Sequence, residues 1–260
     1  MDIKEELGEV VGGIIKQKMK DSINSKKKLY RSLKEDDHVD IIPEIKPSSP
    51  DQKGTSDIDL EWIQNLSKVY EEEGGKGISV HTEQYYFDGQ LEYITTVKEN
   101  TSIPVLAKGF FFDTRHLVEC KHHGADSFLL LTKVLNTFNR DIYEFIKTGE
   151  SLGLEPFVEA SSRSELKKAL KIHPKIIEIN NRDIYGDLSI DLEKAKMCRY
   201  IPEDIAVVSA SGVESGDDIK RLHKLSNGRI DAVLVGTSIM KADSPREKMK
   251  ELVEAGRELP

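Results

Sequence analysis

Three kinds of side chain suited to catalysis fall at or near the ends of short apolar runs in this chain. Carboxylates and ammonium groups come first: Glu44 and Lys46 close the run Ile41–Ile45, Lys108 follows Pro104–Ala107, and Glu159 follows Pro156–Val158. Held together out of bulk water, such groups can give and take protons at a carbonyl or a departing hydroxyl. Asn180 and Arg182, just past Ile176–Ile179, supply fixed hydrogen-bond donors that can orient a reactant. Ser211-Gly212 beyond Ala206–Val208, and Gly236-Thr237-Ser238 after Ala232–Val235, have the make-up of a phosphate cradle. Glycine lets backbone amides approach an anion closely, and Ser or Thr adds a hydroxyl.

These groups are far apart in sequence, so something must gather them. Eight apolar runs recur, with Gly77–Val80 and Ser127–Leu131 completing the set, and helical stretches are expected between them at about 59–73, 90–99, 113–123, 138–152, 162–171, 190–198, 215–225 and 244–257. Strands alternating with helices in this way predict an α/β fold, a closed (β/α)8 TIM barrel. In such a barrel all strands run the same way, so residues at their C-terminal ends meet on one rim. An open doubly wound sheet is the competing fold, but Glu44-Ile45-Lys46-Pro47-Ser48-Ser49-Pro50 lacks the glycine-rich fingerprint expected after its first strand. Asp113 and Ser162 are expected helix caps, and Gly124 and Gly153 are expected left-handed ends before strands four and five. Residues 1–40 read as an N-terminal helical extension, with Ile3, Leu7, Val10, Val11, Ile14 and Ile15 on one face, and 41–260 as the barrel.

Alternation sends Glu44 and Lys46 to one side of their strand and Ile45 to the other. Facing the barrel interior, they must pair or touch ligand; at an exposed strand end they form a structural salt bridge. The phosphate reading of the last two loops rests on position, since many barrels bind phosphate after strands seven and eight.

Bulk properties narrow the partners. The chain has 260 residues, 32% charged and 38% hydrophobic, with a formal net charge of −8. That balance fits one folded domain and argues against general nucleic-acid binding. Lys26–Lys28 is the densest basic run. No apolar run approaches the ~20 residues that cross a bilayer, and the N-terminus lacks a secretory core, so a cytoplasmic location is expected. Cys120 and Cys198 have no metal-ligand spacing and read as reduced thiols. With no His-x-His or Cys-x-x-Cys arrangement, neither metal nor organic cofactor is expected. The expected partner is a small anionic substrate, the chain being a monomer or weak homo-oligomer.

The segment Glu44-Ile45-Lys46-Pro47-Ser48-Ser49-Pro50 resembles the Glu-x-Lys-x-x-Ser-Pro opening of the indole-3-glycerol phosphate synthase family of tryptophan biosynthesis. The resemblance continues through Tyr70–Gly75, Thr82–Gly89, Pro104–Lys108, Gly124–Asp126, Glu155–Glu159, Ile179–Asp183, Ser211–Val213 and Val235–Ser238, in order and over essentially the whole barrel. It implies a carbon–carbon lyase that closes the indole ring of 1-(2-carboxyphenylamino)-1-deoxyribulose 5-phosphate, releasing CO2 and water. By the same resemblance Lys108 is the general acid and Glu159 the acid/base partner for dehydration. Glu44 and Asn180 orient substrate and lysine. Lys46, Ser49, Phe87, Phe110, Arg182 and Ser211 contact substrate, and Gly212, Gly236 and Thr237 hold phosphate.

Three positions depart from the family. Gly109 and Ala210 stand where acids are usual, and His81 ends strand two where an apolar residue is usual. With those acids gone, a cation-rich site should lower the Lys108 pKa. His81 reads as a satisfied strand-end histidine or a replacement polar contact, and Lys133 as a further rim cation or a solvated one. Two rival functions stay open: a Schiff-base sugar-phosphate aldolase using Lys108, and a phosphate-binding barrel with reduced or lost catalysis. Phosphoribosylanthranilate isomerase would need a Cys near the end of strand one, which this chain lacks there.

Overall fold

A computed structural model describes residues 28–49, 58–184 and 186–260. Most of the expected N-terminal extension lies outside these residues. What is described begins with α1 (Leu29–Leu33) and then β1 (Asp40–Ile45), α2 (Leu60–Glu72), β2 (Ile78–His81), α3 (Gln84–Phe87), α4 (Leu91–Asn100) and β3 (Val105–Lys108). Next come α5 (Arg115–His122), β4 (Ser127–Leu131), α6 (Thr132–Thr137), α7 (Ile142–Ser151), β5 (Glu155–Ala160), α8 (Arg163–Leu170) and β6 (Ile176–Asn180). A 3-10 helix (Leu192–Tyr200), β7 (Ala206–Ala210), α9 (Gly216–Ser226), β8 (Ala232–Val235), α10 (Thr237–Met240) and α11 (Pro245–Arg257) complete the chain. The strands pair in sequence order, all parallel, and β8 closes on β1. This is the (β/α)8 barrel.

Two apolar layers hold it. Ile42, Leu106, Leu129, Phe157, Val208 and Leu234 fill the barrel interior, while a larger cluster including Ile41, Ile45, Ile94, Phe128 and Leu252 packs strands against helices. Strands buried on both faces explain why their sequences are continuous apolar runs. Leu29 and Leu33 of α1 join the interior cluster, and the Tyr30 amide donates to Glu155 at the start of β5 while its hydroxyl donates to the Asp204 carbonyl just before β7. The helix thus plugs the N-terminal end of the barrel, away from the rim where the strands finish. The described part of the extension covers apolar surface and does not overhang the rim.

Local chemistry sets the boundaries. The Ser162 hydroxyl accepts from the Glu165 amide, and Gly124 and Gly153 take φ of +101° and +76° as expected. Asp113 is not the N-cap itself but lies one residue before it, Thr114 holding that position, and its carboxylate accepts from the Arg115 amide. The helix expected over 138–152 begins later, at Ile142, because Asn139 adopts a left-handed φ of +51° and Asp141 then caps α7 at the Tyr143 amide; α6, before it, was not expected. The stretch expected to be helical at 190–198 is the tighter 3-10 form. Cys120 and Cys198 are free and buried, and burial pushes both thiols up to about 12. Among the described residues no helix is long and apolar enough to cross a membrane.

Candidate active site

Strand register delivers the chemistry. Lys108 ends β3 beside His81 of β2, Glu159 pairs with Leu131 on one side and Glu178 on the other, and Asn180 pairs with Ala210. All are near the C-terminal ends of their strands. There they line, or lie beneath, one cavity of about 740 Å³. The residues expected to act on, contact or hold substrate all reach its wall: Glu44, Lys46, Ser49, Phe87, Lys108, Phe110, Glu159, Asn180, Arg182, Ser211, Gly212, Gly236 and Thr237.

Glu44 is the hub of the floor. Its Oε1 lies 3.0 Å from Lys108 Nζ and 3.4 Å from His81 Nε2, and its Oε2 lies 3.6 Å from Lys46 Nζ. Burial alone would raise its pKa, but Lys108, Lys46 and His81 reverse that and hold the carboxylate well below its usual range. Lys46 spans two zones, because its ammonium also donates to the Thr237 hydroxyl at 3.2 Å in the loop after β8. Nothing in this floor is a solvated surface pair; both Glu44 and Lys108 are largely buried.

Lys108 departs from the sequence expectation. Burial does favour the neutral amine, but the carboxylates of Glu178, Glu44 and Glu159 outweigh it and hold the ammonium above its ordinary range. The site around the lysine is acid-rich, not cation-rich, so its pKa is raised rather than lowered. The carboxylate that sequence reasoning missed is Glu178, fully buried on β6 with Oε1 3.8 Å from Lys108 Nζ. It was hidden inside the apolar run Ile176–Ile179. The available signal is parity: Glu178 is two residues from Asn180 and therefore on the same face of the strand.

A second network fixes the other wall. Asn180 Oδ1 accepts from the Ser211 hydroxyl at 2.9 Å and from the Arg182 amide at 3.0 Å. With its oxygen so engaged, the side chain must aim Nδ2 at Glu159 Oε2, 3.1 Å away. Burial raises the Glu159 pKa against the opposing pull of Lys108 and this hydrogen bond. Arg182 Nη1 donates to the Leu188 carbonyl, tying down the loop after β6.

The loops after β7 and β8 are joined where the Ser238 hydroxyl donates to the Val213 carbonyl. Ser211 and Gly212 both take positive φ, +71° and +87°. A Cβ on Gly236 would stand 2.6 Å from Glu44 Oε2, so only glycine lets this loop approach the floor. An aromatic wall completes the cavity: Phe87 stacks on His81 at 4.2 Å between centroids and faces Phe110 at 6.2 Å.

The departures now have physical readings. A Cβ at Gly109 would stand 2.6 Å from the Thr82 hydroxyl, so an acid there needs Thr82 to move. His81 is a partial contact: Nε2 faces Glu44, Nδ1 has no partner among the described residues, and burial lowers its pKa. Lys133 is exposed on α6 and does not line the cavity.

Fold and site together define a barrel enzyme with an acid–base cluster under one rim. The indole-3-glycerol phosphate synthase family model matches residues 4–252. Curated relatives of that name are 35% identical over 84% of this chain and 84% of the protein from Methanopyrus kandleri, and 33% identical over 96% of this chain and 94% of the protein from Acetivibrio thermocellus. One from Clostridium kluyveri is 38% identical over 84% of this chain and 80% of its own. The chain belongs to the indole-3-glycerol phosphate synthase family, and so to the carboxy-lyases of tryptophan biosynthesis. Among solved structures, 3-hexulose-6-phosphate synthase from Salmonella typhimurium overlays with a TM-score of 0.66 at 14% identity, covering 85% of this chain and 99% of that one, which is a likeness of fold.

Proposed function

We propose that the rim cluster closes the indole ring of 1-(2-carboxyphenylamino)-1-deoxyribulose 5-phosphate, with Lys108 and Glu159 as the proton-handling pair. The observation that carries this reading is their placement on one cavity wall, Lys108 anchored by Glu44 at 3.0 Å and Glu159 by Asn180 at 3.1 Å. The substrate phosphate takes the loops of Gly212, Gly236 and Thr237, and its aromatic ring the Phe87–Phe110 wall. Lys46, between Glu44 and Thr237, faces the anionic groups.

In the first step the aryl carbon bearing the carboxylate attacks the ketone carbon, and the ketone oxygen becomes an alkoxide. A tightly held ammonium suits this step, because alkoxide oxygen is more basic than the lysine amine and takes its proton downhill. Loss of CO2 then returns the ring to aromaticity. In dehydration Glu159 protonates the departing hydroxyl, and the former methylene carbon releases a proton. Water thus leaves with protons from Lys108 and Glu159, and one proton is taken from solvent per turnover.

A raised lysine pKa disfavours the aldolase alternative, since Schiff-base formation needs a neutral amine. Borohydride with a sugar-phosphate ketone or aldehyde should leave the protein mass unchanged, whereas the aminodeoxyribulose phosphate should yield a fluorescent indole product and CO2. Substrate binding without CO2 release would instead identify a binding barrel.

A further inference from the structure

We infer that Glu178 is a positioning residue for this same reaction: its buried carboxyl shares a single proton with Glu159 and, from beneath Lys108, keeps Glu159 supplied in its protonated form. The inference rests on the proposed role of Glu159 and assigns the site a carboxyl pair in place of a single acid.

Geometry argues it first. Glu159 and Glu178 are register neighbours on β5 and β6, both buried, and only Glu159 reaches the cavity. No ordinary donor among the described residues serves either Glu178 oxygen, although each is buried. A buried carboxylate without donors is costly unless neutralised. The partner facing it is the Glu159 carboxyl, and two carboxyls can hydrogen-bond only by holding a proton between them. Lys108 does not remove the need, because at 3.8 Å its ammonium stands beyond hydrogen-bond distance of Glu178.

The charged surroundings are these: Glu44 on β1, Lys108 on β3 and Glu159 on β5 act on Glu178, while its β7 register partner is the apolar Val208. Lys46 and His81 act on Glu44, and Glu165 of α8 acts on Glu159, adding to its raised pKa. Burial is the largest influence on Glu178 and Lys108 opposes it; Glu159 and Glu44 add to it and take the group to about 8. The pair therefore carries one proton at neutral pH and loses it as pH rises through about 8.

The proton path balances. The pair's one proton passes from Glu178 to Glu159 and on to the leaving hydroxyl, forming water and leaving both carboxyls ionised. The proton released by the ring methylene then restores the pair. Glu178 touches neither substrate nor reacting atoms.

Two measurements test this. In the ligand-free protein with 13C-labelled glutamate carboxyls, one resonance should titrate near pH 8. It should vanish in Glu178→Gln, and in Glu159→Gln its midpoint should fall. In turnover, Glu178→Gln should move the basic limb of the kcat profile to lower pH by about one unit or more. Its kcat at pH 8 should drop about tenfold or more with KM within about threefold, and Glu178→Asp should restore part of the loss. No glutamate titrating above about pH 6 in the wild type, or an unmoved kcat profile in a folded Glu178→Gln, overturns the inference. If Glu178→Gln does not fold, the wild-type titration and Glu159→Gln decide. Wild-type protein that forms no indole product would sink the reading of Glu159 itself, a result separable from the titration.

Discussion

At the scale of single residues, the site is governed by which carboxylate balances which cation. Glu44 neutralises Lys108 and Lys46 and faces His81, so Glu44→Gln should do more than delete a contact. Breaking one side of a buried pair leaves uncompensated charge, typically costing about 3–5 kcal/mol. Glu44→Gln should therefore lower the melting temperature and cut kcat together; a variant as stable and active as wild type would show that the cluster is solvated. The residues carrying this chemistry were legible in sequence because each lies at a strand end and within a whole-barrel resemblance. What was not legible was their charge balance. Ala210 and Gly109 read as a loss of acid, yet Glu178 joins Glu44 and Glu159 around Lys108, and together they raise its pKa instead of lowering it. A lone acid inside an apolar run gives no hint of its partners until the register is known.

At the scale of elements, glycines decide how closely loops and helices approach. Gly236 brings the loop after β8 against Glu44, with a Cβ 2.6 Å from Oε2 and 3.1 Å from Glu44 Cβ. Gly236→Val should raise KM by crowding the phosphate and also lower kcat by displacing Glu44; steady-state kinetics with neither parameter changed would contradict that placement. On α7, a Cβ at Gly149 would stand 2.3 Å from the Phe128 ring. Overpacking of this kind costs about 1–3 kcal/mol, so Gly149→Ala should lower the melting temperature while leaving KM intact. Strands were easy to read from sequence, since burial on both faces makes each a continuous apolar run. The connections were harder. Asn139 delays the start of one expected helix to Ile142 by adopting a left-handed conformation, and the 3-10 geometry of Leu192–Tyr200 has no periodicity distinct enough to announce it.

At the scale of the molecule, the barrel separates two polar ends. The rim holds the catalytic cluster, while the opposite end holds Asp36, His38 and Asp40, where the Lys76 ammonium pairs with Asp36 and lies 3.9 Å from Asp40. Burial, only partly offset by Lys76, raises Asp40 from 3.8 to about 7. Its folded pKa exceeds its unfolded one, so its contribution is full below 3.8 and lost as pH rises through about 7. Asp40→Asn should flatten the fall in melting temperature across that window; an unchanged slope would show that Asp40 stays ionised in the folded protein. The account depends most on one proposition, that Lys108 delivers a proton to the substrate's carbonyl oxygen. Single-turnover formation of the fluorescent indole product by purified protein, compared with Lys108→Ala, tests it directly. Wild type should form product, and the variant should be slower by about 100-fold to 10,000-fold, the range of a lost general acid, with substrate affinity changed only a few-fold. A variant that closes the ring as fast as wild type would contradict it.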